Sequence, residues 1–155
     1  MNNHFMARAI QLAIENVRSG QGGPFGAVIV KDGDIFAEGV NQVTLTNDPT
    51  AHAEVVAIRR ACQKLGVFEL KGCELYTSCE PCPMCLGALY WTRLSRVYFG
   101  GSAADASHAG FDDSFIYREI GHRHAERKTP MIQMMRDEAL AAFQAWQEQS
   151  NKIRY

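Results

Sequence analysis

The 155-residue chain is 46% apolar and 21% charged, with a formal charge of −1, an ordinary globular composition long enough to bury one core. That balance gives no pull toward a phosphate backbone, and no apolar run approaches the roughly 18 residues of a membrane span. The opening Met1-Asn2-Asn3-His4-Phe5 lacks the regions of a secretion signal, so a cytoplasmic protein is expected.

Along the chain, Met6, Ile10, Ala13, Ile14 and Val17 recur at helical spacing and predict an amphipathic helix closing at Gly20. Gly22-Gly23-Pro24 breaks it. Residues 27–30 and 35–40 read as two strands, with Asp32-Gly33 between them as a hairpin turn. Asp48-Pro49-Thr50 offers capping oxygens and a starting proline for a helix through Val55, Val56, Ile58 and Ala61 that ends near Gly66. Residues 74–77 read as a third strand, leading through Glu80-Pro81 into a helix with Cys82, Cys85, Leu86 and Leu89. A fourth strand is expected at 96–99 and a weaker fifth at 131–134, with a closing helix around Leu140, Phe143 and Trp146. Residues 100–130 show least periodicity and are the expected source of lids or subunit contacts. Helix, hairpin, then alternating helix and strand predict an α/β fold: a three-layer α/β/α sandwich around a mixed five-stranded sheet, one domain over residues 1–155.

Two short blocks carry the chemistry. Cys82 and Cys85 stand three apart, so both sulfurs of a first helical turn can face one point. Alone, Cys-x-x-Cys is equally a redox pair or half a structural zinc knuckle. His52 adds a third ligand, and no second Cys-x-x-Cys completes a closed site, so one position is left for water. Glu54 lies where it need not bind metal and is placed as a general base. Two thiolates cancel the charge of the zinc ion, a further reason for a nearby base. One tension stands: residues 52 and 54 point about 200° apart on an ideal helix. They share a site only if it lies across the helix N-terminus. Five cysteines are an odd number, three of them between residues 79 and 85, which favours reduced thiols over a disulfide framework. Cys79 is the competing ligand, read here as a strand-end thiol; Cys62 and Cys73 receive no role. His4, His108, His122 and His124 lack ligand spacing and read as surface residues, and residues 122–128 as a solvated loop.

The H-x-E…P-C-x-x-C arrangement resembles the zinc-dependent nucleobase deaminases, the cytidine deaminase superfamily. Among them the chain is most similar to the small bacterial guanine deaminases, nearly end to end. The resemblance runs through residues 22–28, 47–54, 76–85 and 90–91, then Gly110 to Tyr117 and the terminal Tyr155. It implies one Zn2+ per subunit on His52, Cys82 and Cys85. It further implies hydrolysis of guanine to xanthine and ammonia, with hydroxide attacking C2 and Glu54 shuttling protons. By the same resemblance Asn41 binds the purine, Phe25 stacks on it, and Trp91 adds an aromatic wall. Asp113 contacts the substrate edge and assists proton movement, Tyr155 closes the pocket, and Ala53 is counted with the substrate-binding residues. A homodimer is implied, with residues beyond about 105 acting in trans if the C-terminal segment is exchanged. Plain alternatives stand beside these roles: core packing for Phe25 and Trp91, a turn for Asn41, a helix cap for Asp113, a frayed tail for Tyr155.

Three rival functions stay open. A tRNA adenosine deaminase shares residues 49–54 and the cysteine block, but should carry a basic C-terminal helix where this chain has Glu138 and Glu148. A cytosine or amino-triazine deaminase is the second. A binding module on a structural zinc, without turnover, is the third.

Overall fold

The computed structural model describes residues 3–155, so Met1 and Asn2 of the opening segment lie outside the described residues. The chain divides into two compact units, the first ending at Asp113 and the second spanning Ser114–Tyr155. The first unit contains α1 (Asn3–Arg18), β1 (Gly26–Lys31), β2 (Asp34–Val40), the single turn α2 (Val43–Thr46), α3 (Ala53–Leu65), β3 (Glu74–Cys79), α4 (Pro83–Thr92), β4 (Arg96–Gly101) and α5 (Ala103–His108).

The sheet runs β2-β1-β3-β4, with β1 antiparallel to both neighbours and β3 parallel to β4. The hairpin forms at Asp32 (φ 52°) and Gly33 (φ 86°), the left-handed pair that a two-residue turn needs. β1 is central and covered on both faces, which is why its side chains form a continuous apolar run. Successive residues feed opposite layers. Ala27, Ile29 and Leu75 pack with Ala57, Ala61 and Leu89 of α3 and α4. Val28, Val30 and Tyr76 meet Phe5 and Leu12 of α1, and Tyr76 stacks on Tyr98 at 4.4 Å. The mixed sheet with helices on both faces is the expected three-layer sandwich.

Several details depart from expectation. In α1 the buried stripe is Phe5, Ala9, Leu12, Ala13 and Asn16, whereas Ile10, Ile14 and Val17 are 41–49% exposed. The helix has two apolar stripes, and the backbone approach to β1 selects the one bearing alanines. Asp48 does not cap α3. It accepts from the backbone N–H and the hydroxyl of Thr50 (2.8 and 2.6 Å), and His52 is the N-cap instead. Residues 131–134 take no part in the sheet, which has four strands among the described residues. Met131, Ile132 and Met134 are at least half exposed, and no strand partners them. The stretch expected to be irregular holds α5 and, in the second unit, α6 (Ser114–Gly121) and a 3₁₀ turn (His124–Glu126). Such pieces are too short to show a helical period. Ser102 and Asp105 form a capping box that starts α5. The second unit also carries the expected closing helix, α7 (Arg136–Glu148). No helix among the described residues is long and apolar enough to cross a membrane.

One close approach places the site. A Cβ at Gly39 would fall 2.2 Å from the Ala53 carbonyl oxygen and 2.5 Å from the Ala57 nitrogen. Glycine in β2 therefore lets the first turn of α3 lie directly on the sheet, with His52 and Glu54 held at its edge.

Candidate active site

The site forms where two helix N-termini meet the carboxyl ends of β3 and β4, the usual position for ligands in parallel-stranded sheets. His52 is the N-cap of α3, with extended backbone (φ −70°, ψ 156°), and Cys82 is the N-cap of α4 (φ −64°, ψ 168°) followed by Pro83 at the first helical position. Because His52 stands outside the helix proper, the 200° separation of residues 52 and 54 does not apply. Both side chains turn to one point.

His52 Nδ1 lies 3.5 Å from Cys82 Sγ and 3.6 Å from Cys85 Sγ. A tetrahedral zinc with its usual bond lengths would hold nitrogen and sulfur about 3.6 Å apart. The three side chains form a group whose ligand atoms all lie within 4.8 Å, and the donor set, one imidazole and two thiols, suits zinc. The electrostatics agree. The hydrogen bond from Cys85 brings the Cys82 thiol down to about 4, with His52 assisting. That Cys82 thiolate, together with burial, pushes the Cys85 thiol far up. His52 is raised by its bond to Cys82. One dication neutralises this arrangement. Zinc uptake by metal-free protein at pH 6 is therefore expected to release about two protons, from Cys85 and His52, falling toward one as pH rises past the His52 value. Affinity should weaken as pH falls, because protons then compete for both groups. Titration calorimetry in buffers of different ionisation enthalpy checks this.

Glu54 is 6% exposed, and burial raises its pKa. Its Oε1 accepts from the Thr77 hydroxyl at 3.3 Å, and its Oε2 lies 3.5 Å from Cys85 Sγ. The carboxylate is thus fixed beside the metal ligands without joining them. Cys79 ends β3, and its thiol donates to the Ser102 carbonyl at 3.7 Å, outside the three-ligand group.

A cavity of about 110 Å³ opens over this centre, bringing together Phe25, Asn41, His52, Glu54, Cys82 and Asp113. Ala53 is fully buried at the start of α3. Asn41 is 8% exposed, and Asp113 has its pKa raised by burial, then by the nearby Cys82. Trp91 is not brought to the cavity. It is 67% exposed, because six residues beyond Cys85 a helix has turned about 120° away from the cysteine face. Tyr155 is exposed at the end of the second unit. Sequence reasoning missed Glu80, Phe111, Ala103 and Ala106 as lining residues. Phe111 packs edge-on against Phe25, with centroids 4.9 Å apart, and Glu80 accepts from the Ala103 N–H at 2.9 Å. The Ser102 capping box was the available signal for that wall. A larger depression of about 610 Å³ sits at the opposite strand ends, against Glu74, Tyr76, Arg96 and Tyr98; among the described residues it contains no metal-ligand group.

Comparison with known proteins bears on the same features. Residues 1–101 match the cytidine and deoxycytidylate deaminase zinc-binding region. The chain is 59% identical to a guanine deaminase of Bacillus subtilis over 155 residues, 99% of each chain. It superposes on an X-ray structure of guanine deaminase from that organism with a TM-score of 0.97 and 58% identity, covering 100% of this chain and 99% of that one. A guanine deaminase from Nitrosomonas europaea aligns with a TM-score of 0.67 and 34% identity over 70% of this chain and 63% of that one. A tRNA-specific adenosine deaminase of Bacillus subtilis is 33% identical over 139 residues, 90% of this chain and 86% of its own length. With its His-Cys-Cys group, buried glutamate and mixed sheet, the chain belongs to the cytidine and deoxycytidylate deaminase family.

Proposed function

We propose that this protein is a guanine deaminase, a hydrolase that converts guanine to xanthine and ammonia. The observation that carries the reading is a buried carboxylate fixed beside a three-ligand metal group under a small cavity, in a chain alike end to end with a guanine deaminase. One zinc ion per subunit, held by His52, Cys82 and Cys85, supplies Lewis acidity toward water. Glu54 carries the water's two protons in turn, the first to the ring nitrogen as the water oxygen attacks C2, the second from the resulting hydroxyl to the amine that leaves as ammonia. Its raised pKa makes it a readier proton carrier than a solvated glutamate. Phe25, backed edge-on by Phe111, supports the ring. The Oδ1 of Asn41 accepts from the N–H groups of Gly23 and Val43, so its amide hydrogens are what it offers the purine. Asp113, in the cavity wall, receives donors on the guanine edge.

The reading extends to a homodimer. None of residues 114–155 is buried, and Phe115, Ile120, Ile132, Met134, Phe143 and Trp146 are all at least 40% exposed. A 13-residue helix such as α7 is marginal in water without an apolar surface to cover. Exchange of this segment between subunits would bury it and bring Tyr155 to the partner's site, making residues 1–155 one deaminase domain completed across the dimer. Activity per chain is expected to fall on dilution in parallel with dissociation. A fully active monomer would rule the exchange out. The five free thiols support a reducing, cytoplasmic setting.

The decisive assay is ammonia release from guanine, adenine, cytosine, cytidine, an amino-triazine and an adenosine-containing tRNA loop. Guanine should lead by well over tenfold. Adenosine in RNA as best substrate would overturn the substrate assignment and leave the chemistry intact. The formal charge of −1 and the weaker likeness to the tRNA enzymes favour the free base.

A further inference from the structure

Asn16 is the polar exception on the buried face of α1. It continues the stripe of Phe5, Ala9, Leu12 and Ala13, and is 4% exposed. Its Nδ2 donates to two carbonyl oxygens at 2.9 Å, those of Gly23 and Asn41. Asn41 lines the cavity, and Gly23 stands two residues before Phe25, which also lines it. The Asn41 N–H donates to the Phe25 carbonyl at 3.1 Å, and the Phe25 N–H to the Gly23 carbonyl at 2.8 Å. The Gly23 and Val43 N–H groups in turn fix Asn41 Oδ1, at 3.4 and 3.3 Å. The result is a closed ring of hydrogen bonds in which one amide ties the loop after α1 to the end of β2. Gly22 shows how tightly it closes. A Cβ there would fall 2.2 Å from the Asn41 carbonyl oxygen and 2.9 Å from Asn16 Nδ2.

We propose that Asn16 is a positioning residue of the base pocket: through the Gly23 and Asn41 carbonyls it fixes the Asn41 carboxamide and the Phe25 ring, and so sets affinity for the flat heterocycle. The proposal rests on the guanine deaminase reading above. It concerns ground-state binding rather than proton transfer, since these bonds run to the aromatic and amide walls rather than to Glu54 or the metal ligands. Binding interactions equal in ground and transition states appear in KM and leave kcat alone.

The test compares full-length, zinc-loaded wild type with Asn16→Ala, Asn16→Ser and Gly22→Ala. Asn16→Ala should raise KM for guanine about ten- to hundredfold, with kcat within about threefold. Zinc per chain should be unchanged. Hydrogen exchange should accelerate in residues 22–26 and 39–43 ahead of the rest of the sheet. Asn16→Ser, which keeps one donor, should be intermediate, and Gly22→Ala, which displaces the same carbonyl from the other side, should show the same split. An unchanged KM in Asn16→Ala would overturn the proposal, as would losses of kcat, zinc and thermal stability together at constant KM, the signature of a merely structural residue. If wild type prefers another base, the substrate assignment falls, and the same KM split on that base decides the positioning role. A wild type that deaminates nothing would sink both.

Discussion

Replacing Glu54 by glutamine should lower guanine turnover by about 10²–10⁴-fold, the usual worth of a positioned acid–base group, and leave zinc content intact. The substitution keeps the shape of a side chain that is 6% exposed, together with an acceptor for the Thr77 hydroxyl at 3.3 Å. It removes the negative charge and, with it, the ability to carry a proton. Because the native carboxylate is itself disfavoured by burial, the variant should melt no lower than wild type and gain slightly if anything. Steady-state ammonia release, metal analysis and thermal melting on one preparation read all three quantities. Activity retained within a few-fold would remove Glu54 from the chemistry and favour the structural-zinc module.

The second large effect is at the metal. Cys85→Ala should lower zinc from about one per chain toward none, take activity to background and lower the melting temperature, because metal binding contributes folding free energy. Cys85 is fully buried, 3.6 Å from His52 Nδ1, and its loss leaves two ligands for an ion that needs at least three from protein. Cys79→Ser should retain zinc, since that thiol donates to the Ser102 carbonyl rather than to the three-ligand group. The opposite pattern, zinc kept in Cys85→Ala and lost in Cys79→Ser, would restore Cys79 as a ligand.

Local rules made much of the first unit legible. Asp32-Gly33 specifies its hairpin because few residues tolerate two left-handed positions in succession. Gly66 ends α3 where expected, and Cys82 with Cys85 fits one turn. Other features failed for identifiable reasons. Ile10, Ile14 and Val17 have the right period, yet α1 buries its alanine-bearing stripe, because distance to the sheet decides which face fits. Asp48 reads as a cap and instead closes its own turn with Thr50. Trp91 reads as a pocket aromatic until the rotation of α4 is known.

Sequence by itself determined the chemistry: the ligand types and their spacing along two segments, with the carboxylate between them, because local backbone geometry fixes what a short motif can present. Only the tertiary structure decided that His52 caps α3 rather than joining it, that Thr77 holds Glu54 beside Cys85, and that Phe111 and Glu80 share the wall of the cavity. Those depend on how closely helices and strands from distant parts of the chain approach. Packing at glycines such as Gly39 sets that distance, and no local pattern encodes it.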